Sequence, residues 1–291
     1  MNVNLEACPL CGCLHNKPFL ETKDYLLTGE SFNLVQCSDC TLVYTNPRPT
    51  PDFMGRYYES GDYISHVQDK SNIKNIIYYW ARNLMFHKKL SWMKSLQPIK
   101  SRLLDYGCGT GSFLNFLFTK EWDVWGVEPN ETARKLAPNR LSNRVFANLE
   151  ELPLMEFDII TLWHVLEHLH DIHGTIEVLL SNLSKPGWLV LAIPNFTSYD
   201  AKYYKNYWAG YDVPRHLSHF NGETMKLLAK KHRLQLVKTL PLVLDAYYIC
   251  MLSEKYRQGS QVTGLYHAFK SNLDASKKPS NYSSLVYVLK K

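Results

Sequence analysis

The sequence predicts an α/β protein with a doubly wound sheet and a small cysteine-bearing module ahead of it. Three observations lead there. In "SRLLDYGCGTGSFLNFL" an apolar run ends at Asp105, a glycine falls on every second residue three times, and a helical pattern begins. Strand-like and helical runs then alternate to the carboxyl-terminal end, the order that gives a sheet layered with helices. Two Cys-x-x-Cys pairs, Cys8/Cys11 and Cys37/Cys40, come before all of this.

The chain of 291 residues suits one large domain with an appendage, or two domains. Hydrophobic content of 45% with 21% charged residues describes an ordinary globular protein. The net charge of +6 is mild and permits an acidic substrate, but its scattered Lys and Arg do not argue for nucleic acid, and residues 1–50, which hold few of them, make such a partner unexpected. The first residues lack the charged-then-apolar stretch of a signal peptide. The most apolar late segment, "LPLVLDAYYICML", is too short to span a bilayer and carries Asp245, so no membrane partner is expected. Four of the seven cysteines sit in knuckles that read as metal ligands, which points to a reducing, cytoplasmic setting.

The cysteine pairs are separated by a 25-residue spacer that holds strand-like runs such as "SFNLVQC". Two thiolate knuckles can close a tetrahedron around zinc and fold a segment too small for its own core. Residues 1–50 are therefore read as a zinc ribbon with a structural zinc on Cys8, Cys11, Cys37 and Cys40. Cys13 could compete as a ligand, and Thr41 stands where a glycine often follows the knuckle. Unligated thiols are the plain alternative. A redox pair fits less well, because no thioredoxin-like βαβ unit surrounds either motif.

Three prolines between Pro47 and Pro51 mark an extended connection. Residues 51–98 are read as a linker and helical cap. "RYYESGDYISH" offers Tyr63 and His66 as substrate-side groups on composition, and 72–96 shows apolar residues at helical spacing. The strand "RLLDY" follows, then Gly107, Gly109 and Gly111, then a helix from Ser112. The next strand, "DVWGVEP", ends in Glu128, 23 residues beyond Asp105. A strand, turn, helix and strand ending in an acid form a nucleoside-binding unit, in which the glycines let backbone pass under the ligand and the acid can accept ribose hydroxyls. The dinucleotide spacing Gly-x-Gly-x-x-Gly is not met, since Ser112 takes the third position. Asp105 suits a ligand that carries an ammonium group better than one that carries a pyrophosphate.

On "LLDYGCGTG" and "GVEP", the sequence resembles the class I S-adenosylmethionine-dependent methyltransferases over roughly 75–285. The resemblance implies a seven-stranded Rossmann-like sheet with the last strand antiparallel, "LQLVKTLP" and "SSLVYVLKK" supplying strands six and seven. It implies a methyltransferase domain over 99–291 and S-adenosylmethionine as cofactor. The cofactor-binding set would be Asp105, Gly107, Gly109, Gly111, Glu128, Pro129, Asn148, Leu149, Trp163 and His164. Asn148 and Leu149 would flank the adenine, and backbone amides of the turn would face the carboxylate.

Methyl transfer is a displacement that needs alignment and, for an oxygen or nitrogen acceptor, a base. "HVLEH" offers His164, Glu167 and His168, which share a helix face if a helix begins at Val165. It also matches a zinc-protease motif, which needs a long helix where a strand here precedes it. The region is similar to the Glu-x-x-Glu-His of ubiquinone-type O-methyltransferases, with His164 in place of the first glutamate. "YWAGYDVPRHLSHF", in a substrate-side insertion at about 196–222, supplies Tyr211, Arg215, His216 and His219. His216 is the first choice for the base, with His168 next, and Arg215 could pair with a substrate anion. The expected function is methylation of a small-molecule acceptor, foremost at oxygen. Sugar carbon, nitrogen, RNA or protein acceptors and a non-catalytic cofactor-binding module are the alternatives. The oligomeric state stays open.

Overall fold

The computed structural model describes residues 1–58, 73–97 and 101–291, excepting the side chains of 73–78. Tyr63 and His66 lie outside the described residues. The chain packs as two compact units, Met1–Ser60 with Leu166–Glu177 and Ala192–Val288, and Gly61–Val165 with Val178–Leu191 and Leu289–Lys291. The unit that begins at Met1 takes in two later segments.

In that unit, β1 (Asn2–Val3) and β5 (Arg48–Pro49) form a two-stranded ladder. A second sheet contains β2 (Asn16–Lys23), β3 (Ser31–Cys37) and β4 (Val43–Thr45). Buried and exposed positions alternate at the start of β3, the period of a half-covered strand. The edge of this sheet is completed by β11 (Ser218–His219), whose Ser218 and His219 pair with Tyr44 and Val43. Its neighbouring core contains Phe32, Leu34, Val43, Tyr57, Trp208, Tyr211, Leu217 and Ile249.

The other unit begins with the helix α1 (Ile73–Leu96). Then come β6 (Arg102–Tyr106), α2 (Ser112–Phe118), β7 (Asp123–Val127), α3 (Glu131–Lys135), β8 (Val145–Phe146) and β9 (Phe157–Trp163). Strand β6 pairs in parallel with β7 and β9, and β7 with β8. Leu103, Leu104, Ile159 and Ile160 are fully buried, as strands covered on both faces require.

Later elements are α4 (Ile172–Ser181), β10 (Leu183–Pro194), α5 (Tyr199–Tyr204), α6 (Gly222–Lys231), β12 (Gln235–Pro241), α7 (Asp245–Tyr256), α8 (Gln261–Lys277) and β13 (Ser284–Lys290). The main sheet has seven strands in the order β12-β13-β10-β9-β6-β7-β8, and its last strand runs antiparallel. The chain steps outward from β6 to β8 and then returns to β9 on the other side of β6. That reversal is a topological switch point, where open α/β sheets form a crevice at their strand ends. No helix begins at Val165; the next α-helix starts at Ile172. His164 takes a left-handed φ of 57°, and only a single 3-10 turn, Leu166–His168, follows it. Among the described residues, no helix is long and apolar enough to cross a membrane.

Candidate functional site

The glycine turn sits at the tip of β6. Gly107, Gly109 and Gly111 have φ of 76°, 55° and 67°, a region L side chains enter only with strain. A Cβ on Gly107 would also lie 2.5 Å from Val165 Cγ2. At Gly109 a Cβ would meet nothing within 4 Å, so the turn borders open space there. The next strand needs a glycine too, since a Cβ on Gly126 would come within 2.7 Å of both Leu114 Cδ1 and Cys108 Sγ.

Two carboxyl groups flank this turn. Asp105 is buried at the end of β6 and accepts a 2.6 Å hydrogen bond from the Thr161 hydroxyl on β9. Burial raises its pKa to about 6, against the opposing pull of the Thr161 bond and the Lys89 charge. Glu128, at the end of β7, accepts from the Gly109 amide at 2.8 Å and the Asn130 amide at 2.9 Å, one on each oxygen. Each oxygen keeps lone-pair capacity for a further donor. Arg134 clasps the Glu128 and Pro129 carbonyls.

Several amides of the turn have partners within the fold. Those of Gly107 and Cys108 donate to the Val127 carbonyl, and that of Gly111 to Cys108. Asn148 caps the turn Leu149–Glu151 through its Oδ1, and its Nδ2 donates to Glu151. At the end of β9 the Trp163 ring lies under the Lys89 ammonium at 3.8 Å, and its buried Nε1 has no hydrogen-bond partner among the described residues. Thr161 and Lys89 were missed by sequence reasoning. Thr161 had a signal, as the single hydroxyl inside the apolar run "FDIITLW".

In the unit that holds Leu166–Glu177, the structure brings Glu167, His168 and His216 together, each with one ligand-capable atom within 4.8 Å of the others. The His216 Nδ1 lies 2.9 Å from the Gly210 carbonyl. A carbonyl only accepts, so Nδ1 carries the hydrogen and Nε2 holds the lone pair. That Nε2 is 4.0 Å from both Glu167 Oε1 and Asp212 Oδ2. His168 is fixed likewise by the Arg215 carbonyl at 3.0 Å, with the Tyr58 hydroxyl also 3.0 Å from its Nδ1. Burial, then the nearby His216, lowers the His168 pKa to about 4, which keeps the ring neutral. His219 is lowered further by its burial. Its Nε2 is buried without a partner among the described residues.

Arg215, expected at a substrate anion, is instead 1% exposed and built into the interior. Its guanidinium donates to Asp24 at 2.8 Å, to Asp212 at 2.7 Å and to the Tyr57 carbonyl at 3.0 Å. Tyr211 is also a core residue, edge-on to Trp208 and His219. Burial pushes the Asp212 carboxyl up, but the Arg215 charge and hydrogen bond together with the neighbouring His216 and His168 outweigh it and hold the group below the usual carboxylate range.

The sulfur atoms of Cys8, Cys11, Cys37 and Cys40 lie within 4.8 Å of one another. Cys8 and Cys40 are 3.6 Å apart, and Cys11 and Cys37 are 3.5 Å apart. A tetrahedron with zinc–sulfur bonds of ~2.3 Å has edges of about 3.8 Å, so the cluster matches a tetrathiolate site and is far too open for disulfides. Each knuckle is closed by a backbone hydrogen bond, Cys8 to Cys13 and Cys37 to Leu42. Gly12 and Thr41 occupy matching left-handed positions, with φ of 82° and 64°. Cys13 stays outside the cluster and meets the His15 backbone.

A family model described as a methyltransferase domain matches residues 73–239. No curated protein matches the sequence. Among solved structures, phosphoethanolamine N-methyltransferase 2 of Haemonchus contortus, in complex with S-adenosyl-L-methionine, is similar with a TM-score of 0.51 and 18% identity. That likeness covers 86% of this chain and 62% of the other, so this chain spans about three fifths of that enzyme's length. The plantazolicin methyltransferase BpumL, in complex with a triazolic desmethylPZN analog and SAH, is similar with a TM-score of 0.50 and 17% identity, covering 81% of this chain and 93% of that one. These likenesses show a common fold.

Proposed function

The chain belongs to the methyltransferase-domain family, and on that premise we propose that it transfers a methyl group from S-adenosylmethionine to the oxygen of a small-molecule acceptor. One observation carries this reading. Asp105 and Glu128 end neighbouring parallel strands on either side of a left-handed glycine turn that borders open space. When bound, S-adenosylmethionine supplies an electrophilic methyl carbon on a sulfonium. Ionised Asp105 holds its amine, and the remaining lone pairs of Glu128 accept from its ribose. The Trp163 Nε1, unpartnered among the described residues, is a further donor in the same unit.

His216 takes the acceptor's proton at Nε2. Its Nδ1–H is anchored on Gly210, and the Glu167 and Asp212 carboxylates at 4.0 Å stabilise the imidazolium that results. The four cysteines hold a structural zinc. Four thiolates leave no open coordination position, so the metal takes no part in the transfer.

Thermal unfolding with S-adenosylhomocysteine tests the cofactor reading. The ligand should raise the Tm, and Asp105→Ala or Glu128→Ala should abolish the rise; an unmoved wild-type Tm would refute it. A labelled methyl donor with hydroxyl, amine and carbon acceptors then identifies the acceptor. With that acceptor, His216→Gln should lower kcat by about 10²–10⁴-fold with a smaller change in KM.

A further inference from the structure

Helix α8 is packed the reverse of an ordinary surface helix. Its buried side consists of Gly264, His267, Ala268, Ser271 and Ala275. The small residues let it approach α7 closely, and a Cβ on Gly264 would already sit 3.0 Å from Met251 Cα. The large apolar residues face out. Val262, Leu265, Tyr266, Phe269 and Leu273 are between 46% and 74% exposed. They recur at i, i+3, i+4, i+7 and i+11, which makes one continuous stripe along the helix. The adjoining Lys270 lays its ammonium over the Tyr199 ring at 5.2 Å, so this charge is turned toward its own molecule.

We propose that this stripe is a two-fold interface with a second copy of the chain. Symmetry favours that occupant. Leu265 and Leu273 stand four residues on either side of Phe269. An antiparallel pairing about Phe269 therefore sets Phe269 on its own copy and each Leu265 on the other copy's Leu273. An isologous interface requires such a self-complementary patch. The area is also sufficient. With ~200 Å² for a fully exposed residue of this size, the stripe offers roughly 570 Å² per copy and about 1,100 Å² for the pair. That clears the ~1,000 Å² expected of a specific interface and is at the upper end of what a monomer leaves exposed.

Sedimentation equilibrium on the full chain tests the proposal. The wild type should be a dimer at micromolar concentration. Phe269→Glu should raise the dissociation constant roughly 30-fold or more, the loss typical of a central anchor, while the circular dichroism spectrum stays as in the wild type. Leu273→Lys provides a second surface variant should the first fail to fold, and it should also dissociate the pair. Oxidation of a Leu265→Cys/Leu273→Cys variant should link 265 of one copy to 273 of the other. A monomeric wild type, a dimer that survives both charged substitutions, or linkage elsewhere would overturn the assignment. So would a monomer that binds phosphatidylcholine/phosphatidylserine vesicles through Phe269, since the face would then belong to a bilayer.

Discussion

The Thr161 hydroxyl donates a 2.6 Å hydrogen bond to Asp105 Oδ1 between two residues that are direct partners on neighbouring parallel strands. This bond favours the ionised carboxylate, while burial favours the neutral acid and prevails, so the pKa stands at about 6. A raised folded-state pKa means that the ligand-free fold gains most from this group in acid, below the ordinary value near 4, and loses that gain as pH rises through about 6.

Binding of a cationic nucleoside should follow the opposite course, because it needs the ionised form. Calorimetric titration of S-adenosylhomocysteine, which keeps the amine, should show affinity rising about tenfold per pH unit below pH 6 and levelling above it. Thr161→Val should move the midpoint up by roughly one to two units, since a hydrogen bond to a charged group is worth ~1.5–3 kcal/mol. Asp105→Asn should bind weakly with no slope.

Gly107→Ala should destabilise the protein by about 2–4 kcal/mol in urea unfolding. The left-handed backbone and the 2.5 Å contact with Val165 each contribute. Val165→Ala in the same chain should recover the steric part and leave the backbone part.

Arg215→Met should cost about 3–5 kcal/mol, because it leaves Asp24 buried beside an uncharged neighbour. Asp24 also accepts the Leu26, Leu27 and Thr28 amides. Burial pushes its pKa up, and the Arg215 bond and these amides carry it below the ordinary value. The stability it contributes is therefore present above pH ~4 and lost on acidification through the lowered folded-state pKa. Urea unfolding at neutral and acid pH should show Arg215→Met less sensitive to acid than the wild type.

Metal analysis should find close to one zinc per four-cysteine cluster, and Cys37→Ser should remove it; retention of metal in that variant would defeat the assignment. Thr41→Gly should instead stabilise the protein by about 1–2 kcal/mol, since a β-branched residue is strained at a φ of 64°. Denaturation midpoints of the two zinc-loaded proteins measure this directly.

Much of the fold was legible in local pattern. The strand "SFNLVQC" is β3 residue for residue, and "RLLDY" is β6. The glycine turn showed itself through spacing alone, because positive φ is a backbone requirement that one residue type meets without strain. Whether a helix begins at Val165 is not legible, because the chain turns at His164 with φ of 57°, a backbone choice that no periodicity signals.

Apolar period and glycine positions thus decided the strands, the glycine turn and the two strand-tip carboxyls, because each depends on neighbours a few residues away, while the seven-stranded order was what the family resemblance implied. Partnership between distant segments was decided by folding. Arg215 joins Asp24 across 191 residues, and His216 comes to face Glu167 from a separate stretch of chain. Buried charges are settled by whatever counter-group packing delivers, and a one-dimensional pattern does not record that choice.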